Sequence, residues 1–139
     1  MSMRNSEGYP DPTAYQALKN VSAHKFMPVV YICSPYSGDV ETNVMNARRY
    51  CRFAVDQGCI PIAPHLLLPQ FMRDNDPVEH DLAIFMDLVL LSKCAELWVF
   101  GDRISTGMGI EITKAKQKSM TIRHFTSECK EVSECTKQS

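Results

Sequence analysis

One short stretch of the chain combines glycines, hydroxyl groups and a carboxylate: it runs from Ser105 to Glu111 and reads STGMGIE. Its two glycines let the backbone approach a ligand closely, and the free N–H groups of a helix that begins here favour anions. Ser105 and Thr106 add hydroxyl groups, and Glu111 falls in the first turns of that helix, from which it can point back at a bound group. Acidic residues are favoured near the start of any helix, so spacing alone leaves a purely structural role equally open.

A second candidate loop, Ser34–Asp39, follows a short apolar run and consists of turn-forming residues. Tyr36 can pack against a sugar or a base. Ser34, Ser37 and the backbone N–H groups around Gly38 can bind phosphate or hydroxyl groups. An ordinary strand-to-helix turn is the alternative. We favour the functional interpretation because a loop in this place lies at the ligand-binding edge of an α/β sheet.

Two further ionisable residues belong to the same set of candidates. His65 follows the second predicted strand, although a lone histidine is more often a hydrogen-bonded structural residue. Asp87 lies between Met86 and Leu88 in an apolar stretch, and a carboxyl group on the buried side of a helix has a raised pKa suited to acid catalysis. A solvated or loop-capping Asp87 is the alternative, and Asp81 competes for the same role.

The elements that position these residues alternate along the chain. Runs of apolar residues predict strands over residues 29–33, 60–64, 97–100 and 120–124. Helical spacing predicts helices over residues 12–21, 41–57 and 107–118, and another that begins at Pro77 with a buried stripe of Val78, Leu82, Phe85, Met86, Val89 and Leu90. The prolines of the second strand each remove a ladder donor, which places that strand at or near a sheet edge.

This alternation predicts the α/β class: a single-domain, three-layer αβα sandwich around a parallel sheet of four to five strands, flavodoxin-like or Rossmann-like. Ligands in such sheets bind beyond the carboxyl ends of the strands, where both candidate loops fall. We divide the chain into an N-terminal extension with a short helix (residues 1–25), the α/β domain (residues 26–125) and a polar tail (residues 126–139).

Composition argues against several classes of function. The chain has 139 residues and a formal net charge of -1, which disfavours binding to a nucleic acid polymer. No apolar run reaches the roughly 20 residues of a membrane-spanning helix, and the N-terminus lacks an apolar signal block. We therefore expect a soluble, cytoplasmic protein with no membrane partner. The six cysteines are dispersed along the chain, which predicts reduced thiols. The spacing of the cysteines and histidines does not predict a zinc site.

The segment from about residue 29 to residue 125 resembles the nucleoside 2-deoxyribosyltransferase-like superfamily. Within that superfamily it is most similar to small phage and bacterial members whose first loop reads Ser-Pro-Tyr-Ser-Gly. In that superfamily a Gly-x-Gly-x-Glu element opens the helix after the third main strand. Gly107, Gly109 and Glu111 match this element in order and spacing. The resemblance implies that Glu111 is the nucleophile at the anomeric carbon of a sugar, and that the two glycines and the intervening Met108 contact the substrate.

The resemblance also assigns roles to positions outside this element. The nucleoside transferases tend to carry an aspartate six residues before the glutamate, whereas the related 2'-deoxynucleoside 5'-phosphate N-hydrolases carry a serine that helps to hold the 5'-phosphate. Ser105 occupies this position, which favours a nucleoside monophosphate as substrate because a neutral hydroxyl tolerates a dianion. The hydrolases also line the pocket with a histidine near the place of His65. They carry an arginine in the first loop, which is absent here.

Family members carry an acid on the helix before the third strand, some eight residues ahead of an Ala-Asp pair. Here the pair reads Ala95-Glu96, and Asp87 lies nine residues before Glu96, one residue away from that spacing. The resemblance implies that Asp87 protonates the departing base or orients the sugar.

Together these residues imply cleavage or transfer of the N-glycosidic bond of a (deoxy)nucleoside or its 5'-monophosphate through a covalent glycosyl-glutamate intermediate. The reaction requires neither a metal nor a redox cofactor, and the superfamily implies a homo-oligomer in which a neighbouring subunit completes the pocket. A non-catalytic nucleotide-binding or sequestering module is the alternative, because it would use the same loops and would need no general acid to protonate a leaving base. A cytokinin-activating-type phosphoribohydrolase ranks last, since its Pro-Gly-Gly-x-Gly-Thr-x-x-Glu signature is absent.

Overall fold

The computed structural model describes residues 12–22 and 25–133, so most of the predicted N-terminal extension and the end of the predicted polar tail lie outside the described residues. The helices are α1 (Pro12–Ser22), α2 (Val40–Asp56), α3 (Pro77–Leu91) and α4 (Thr106–Gln117). The strands are β1 (Val29–Cys33), β2 (Ile60–Ile62), β3 (Glu96–Phe100), β4 (Thr121–Phe125) and β5 (Glu131–Val132), and two short 3-10 turns cover Pro64–Leu66 and Leu68–Gln70.

The strands form one sheet in the order β2-β1-β3-β4-β5. β1 to β4 pair in parallel, and β5 joins the edge antiparallel to β4. The predicted α/β class is confirmed, and the five-stranded sheet is parallel as predicted except for β5. The proline-containing β2 lies at an edge as expected. β5 falls within the predicted polar tail, and Arg123 of β4 donates to both carboxylate oxygens of Glu131 at 2.8 and 2.6 Å.

The core lies on both faces of the sheet because successive strand residues point to opposite sides. Val30 and Ile32 of β1 belong to the cluster that includes Tyr50 and Ala54 of α2. Tyr31 and Cys33, the alternate residues of β1, belong to the opposite cluster, with Leu91 of α3 and Met108 and Ala115 of α4. β1 therefore supplies side chains to both helical layers of the sandwich.

The buried stripe predicted for α3 is wrong. Val78 and Phe85 are 77% and 63% exposed, and Leu82, Met86 and Val89 are exposed as well. α3 reads PVEHDLAIFMDLVLL and is apolar on nearly all sides, so periodicity could not decide which side faces the sheet. The side of α3 that faces the sheet carries the half-buried Asp87 and, at the end of the helix, the fully buried Leu91.

The loops after β1 and β3 open at the same edge of the sheet. β1 and β3 are neighbours, and the chain leaves them for helices on opposite faces, α2 and α4. Such a divergence of neighbouring parallel strands creates a crevice, and ligands of α/β proteins bind there. Gly38 and Gly101 lie in these loops with φ of 97° and 93°, a conformation that residues with a Cβ rarely adopt.

Other expectations concern membranes and cysteines. Within the described ranges, no helix has both the length and the apolar character needed to cross a membrane. The five cysteines in those ranges, Cys33, Cys51, Cys59, Cys94 and Cys129, are free thiols as expected, and Cys135 lies outside them.

Candidate active site

Glu111 is held by the end of β1. It lies in the second turn of α4, half-buried, and its Oε2 accepts a hydrogen bond of 2.5 Å from the hydroxyl of the buried Tyr31. The fully buried Cys33 thiol lies within hydrogen-bonding reach of the Glu111 carboxylate and of the Met108 carbonyl. Tyr31 and Cys33 are two residues apart on one strand, so both face α4. The carboxylate thus has its orientation set by the sheet.

Burial and hydrogen bonding act in opposite directions on Glu111. Burial raises the pKa of Glu111, and the hydrogen bonds from Tyr31 and Cys33 lower it. Burial, followed by the nearby carboxylate charge of Glu111, raises the pKa of Tyr31 and of Cys33. Both therefore keep their protons at neutral pH and remain donors to the carboxylate.

Asp87 is the second carboxyl group of the cluster. Burial, then the charge of Glu111, raise the pKa of Asp87 to about 7. Its Oδ1 is buried and has no hydrogen-bond partner among the described residues. Asp81, the competing candidate, is exposed on the outer side of α3. Near pH 7 Asp87 exists in both its protonated and ionised forms, which is the condition for giving and taking a proton.

Ser34 and His65 form a pair at the end of the neighbouring strands. Ser34 Oγ lies 2.9 Å from His65 Nε2, and Ser34 is only 7% exposed. Burial lowers the pKa of His65 to about 4, so the imidazole is neutral at physiological pH. The pair ties the first loop to the 3-10 turn after β2, and His65 therefore acts on that loop through Ser34.

The rest of the first loop is arranged by its own helix. The side-chain amide of Asn43 donates to the carbonyls of Tyr36 and Ser37, both at 3.0 Å. Tyr36 is half-buried, whereas Ser37 and Gly38 are exposed. These contacts hold the backbone of the loop and leave the Ser37 and Gly38 surfaces open to solvent.

The second loop begins α4 with a cap. Ser105 is the N-cap residue, and its side chain accepts from the Met108 N–H at 3.2 Å. A Cβ at Gly107 or Gly109 would meet nothing within 4 Å, so packing inside the chain does not require these glycines. The Met108 side chain is buried in the core, so any contact of Met108 with a substrate would involve its backbone.

Two cavities are lined by residues of the two candidate loops. One, of about 150 Å³, lies between the loops after β1 and β3 and includes Ser34, which follows Cys33 in the chain. The other, an open groove of about 550 Å³, runs along α4 and α3 and includes Leu88 and Ile110, the sequence neighbours of Asp87 and Glu111. Within the part of the chain that the structure describes, Glu111 itself lines neither of these two cavities.

The residues of the carboxylate cluster were only partly predicted from the sequence. Glu111 and Asp87, predicted from separate segments, come together beside one strand. Tyr31 and Cys33 were not predicted, because both were interpreted as part of an apolar strand. The tyrosine in this apolar strand, Tyr31, could have indicated a polar partner, because a buried hydroxyl needs a hydrogen-bond partner.

Comparisons with known proteins give a family and a similar fold. A family model described as a domain of unknown function (DUF7768) matches residues 28–125. The chain belongs to the DUF7768 family. No curated protein matches this DUF7768 chain in sequence. Its fold is similar to that of a 2-deoxyribosyltransferase from Bacillus psychrosaccharolyticus, with a TM-score of 0.55, 17% identity, and coverage of 70% of this chain and 72% of the other. At that identity the likeness concerns the fold.

Proposed function

We propose that this DUF7768 protein cleaves or transfers the N-glycosidic bond of a (deoxy)nucleoside or its 5'-monophosphate through a covalent glycosyl ester of Glu111. The observation that carries the proposal is the carboxyl pair: Glu111 is fixed by Tyr31 at 2.5 Å, and its charge helps to raise the pKa of Asp87 to about 7. A two-step glycosidase uses two such carboxyl groups, one as the nucleophile and one, with a raised pKa, as the acid and base. The fold shared with a 2-deoxyribosyltransferase supports the same chemistry.

In the first step the ionised Glu111 attacks C1' of the sugar. Because Tyr31 donates to Oε2, we assign the attack to Oε1. The C1'–N bond breaks, its electron pair passes to the nucleobase, and neutral Asp87 donates a proton to the base as it leaves. The products are a free base, a glycosyl-Glu111 ester and an ionised Asp87.

In the second step water or another base attacks the same carbon. The ester bond breaks, Glu111 regains its negative charge, and Asp87 accepts the proton of the attacking group. Two inversions at C1' give overall retention of configuration. These steps use only the two carboxyl groups, the substrate and the acceptor, and they call for no metal or redox cofactor.

The loops supply the binding groups in this proposal. Tyr36 packs against the sugar or base, and Ser34, with its partner His65, contributes a hydroxyl from the first loop. Backbone groups of residues 37–38 and 107–109 approach the ligand, because both glycines of α4 have open space beside them. Ser105 supplies a neutral hydroxyl at the start of α4.

We further propose that the protein is a cytoplasmic homo-oligomer whose subunits meet through α3. Its exposed apolar side chains recur at helical spacing: Val78, Leu82, Phe85, Met86 and Val89. A contiguous exposed patch of this kind marks an interaction surface. A second copy placed here would remove these apolar side chains from water and form the homo-oligomer. Light scattering measures this, and a particle of 15.7 kDa, the mass of one chain, would contradict it.

A non-catalytic nucleotide-binding module is the second candidate. It is favoured by one observation, namely that Glu111 lines neither of the two cavities described above. Such a module would bind a nucleotide tightly and return it unchanged.

The proposed function is tested by incubating the protein with a panel of ribo- and deoxyribonucleosides and their 5'-monophosphates. Chromatography of the released base measures turnover, and intact mass spectrometry measures the glycosyl ester. We expect Glu111→Gln to lower base release by at least about 10⁴-fold and to abolish the ester, because an amide is a poor nucleophile. Glu41→Gln, at an exposed position on α2, is the matched control. Turnover by Glu111→Gln at the wild-type rate would remove Glu111 from this role, and tight binding without released base would favour the module.

A further inference from the structure

The thiol of Cys33 lies between two hydrogen-bond acceptors, and only one of them can change its charge. Its Sγ lies 3.9 Å from the carbonyl oxygen of Met108 and within hydrogen-bonding reach of the Glu111 carboxylate. Cys33 is fully buried, so bulk water does not reach the thiol. A thiol carries a single proton, and the direction of the S–H bond is therefore a choice between these two acceptors.

The charge of Glu111 decides this choice. Hydrogen bonds to an ionised acceptor are roughly twice as strong as those between neutral groups, so the ionised carboxylate takes the thiol proton. The contact with the Met108 carbonyl is accordingly long. When Glu111 is protonated or esterified its charge is lost, and the peptide carbonyl of Met108 becomes the better acceptor because its amide nitrogen donates electron density to the oxygen.

Other groups also act on the charge of Glu111, and they are arranged differently. Tyr31, from the same strand as Cys33, donates to Oε2 at 2.5 Å. Asp87 of α3 faces Glu111 closely enough for the charge of Glu111 to raise the pKa of Asp87. The short bond from Tyr31 fixes the carboxylate whether or not the thiol donates to it. The contribution of Cys33 can therefore be separated from that of Tyr31.

We propose that Cys33 is a positioning residue whose hydrogen bond follows the charge of Glu111: the thiol donates to the ionised carboxylate and turns to the Met108 carbonyl when Glu111 is esterified or protonated. No bond to sulfur forms or breaks, and only the acceptor of the thiol proton changes. The part that concerns the ester rests on the proposed function, whereas the turn on protonation does not. A donor that binds only the carboxylate favours breakdown of the ester, because the carboxylate is the leaving group of that step.

Infrared spectroscopy of the S–H stretch tests the turn without any substrate. The difference between the wild type and Cys33→Ala isolates the band of this thiol, which moves to lower frequency as the thiol donates more strongly. We expect the band to move to lower frequency as pH rises and Glu111 ionises. The scan is repeated in Asp87→Asn, because Asp87 titrates in the same cluster.

The matched background for the infrared scan is Glu111→Gln, measured with and without Cys33→Ala. In that background the Cys33 band should stay at one frequency over the whole pH range. A band that does not move as Glu111 ionises in the wild type, or that moves equally in Glu111→Gln, would overturn the proposal whether or not the protein releases base.

Decay of the glycosyl ester tests the consequence for catalysis. The excess substrate is removed rapidly, and loss of the ester is followed by intact mass spectrometry. Cys33→Ala should slow this decay about three- to tenfold, because the leaving carboxylate has lost a donor. The acid limb of kcat/KM should also move to higher pH, since the hydrogen bond from Cys33 lowers the pKa of Glu111. Cys33→Ser, whose hydroxyl also donates, should decay at least as fast as the wild type.

Cys59→Ala is the matched control, because Cys59 is also buried but belongs to the core cluster on the opposite face of the sheet. Its ester decay and acid limb should equal those of the wild type. Equal decay in the wild type and Cys33→Ala, or a Cys33→Ser variant as slow as Cys33→Ala, would overturn the role of the thiol proton. A protein that forms no ester contradicts the proposed function instead, and the infrared shift then decides the role of Cys33 by itself.

Discussion

The two sides of the carboxyl edge of the sheet differ in kind, although β1 supplies residues to both. On the α3–α4 side, Tyr31 holds Glu111, and burial together with the Glu111 charge shifts the pKa of Asp87 to about 7. On the α2 side, Ser34 joins a polar cavity whose charged residues, Asp102 and Arg103, are exposed. Burial away from water disfavours the charged form of a carboxyl group, and this raises the pKa of Asp87 toward neutrality.

This difference assigns a separate task to each side. A group whose proton affinity is close to neutrality suits a reaction that moves a proton. Fixed charge in contact with water suits recognition of a charged ligand. Of the three substitutions that follow, Asp87→Asn and Tyr31→Phe act on the α3–α4 side, and Ser105→Asp acts at the start of α4.

Among these three substitutions, the largest effect is expected for Asp87→Asn. An amide cannot donate the proton to the departing base, so base release should fall about 10²- to 10³-fold. The proton of Asp87 is lost as pH rises through about 7, so wild-type turnover should decline above that pH, and the variant should lose this alkaline limb. The pH dependence of kcat/KM between pH 5 and pH 9 measures it. Asp81→Asn, exposed on the same helix, should behave as the wild type, and an unchanged alkaline limb in Asp87→Asn would contradict the assignment.

The same substitution has a stability readout with a defined sign. The pKa of Asp87 is raised on folding, so its contribution to stability is fully present below about pH 4 and is lost as pH rises through about 7. Asp87→Asn should therefore raise the free energy of unfolding at pH 8 by about 1–2 kcal/mol, discounted because the group is partly solvated. Urea denaturation at pH 4 and at pH 8 measures the difference, and a stabilisation at pH 4 larger than that at pH 8 would contradict it.

Tyr31→Phe should have a smaller effect on the same side. Loss of its hydrogen bond to Glu111 should lower kcat/KM about 10-fold, for nucleosides and monophosphates alike. Because that hydrogen bond lowers the pKa of Glu111, the acid limb of the pH profile should also move to higher pH. Tyr15→Phe, exposed on α1, is the control for the chemical change. A loss confined to monophosphates would contradict the assignment of Tyr31 to the positioning of Glu111.

A site residue could be predicted from the sequence where it interrupted the pattern of apolar residues around it. Glu111 follows two glycines at a helix start, and Asp87 is a carboxylate in an apolar helix, so both were conspicuous. Tyr31 and Cys33 continue the apolar run of β1, and their role depends on which of two helical layers each residue faces. That choice requires the positions of α3 and α4, which strand periodicity does not contain.

The fold followed from the sequence more readily than its surfaces did. Alternating apolar runs determine the order of strands and helices, and hence the α/β class. β5 could not be predicted because it has only two residues, with polar residues on both sides, and so shows no apolar pattern. Its pairing with β4 is supported by the Arg123–Glu131 ion pair. The exposed side of α3 could not be predicted either, because a helix that is apolar on nearly all sides has no distinguishable inner face.

The smallest effect is expected at Ser105, where the two sides of the edge meet at the start of α4. Aspartate caps a helix as well as serine does, so Ser105→Asp should leave the free energy of unfolding nearly unchanged and add only a negative charge. That charge should lower kcat/KM for a nucleoside monophosphate several-fold more than for the nucleoside. Ser105→Asn, which also caps but is neutral, should retain the wild-type preference. An equal loss on both substrates would mean that Ser105 does not approach the phosphate.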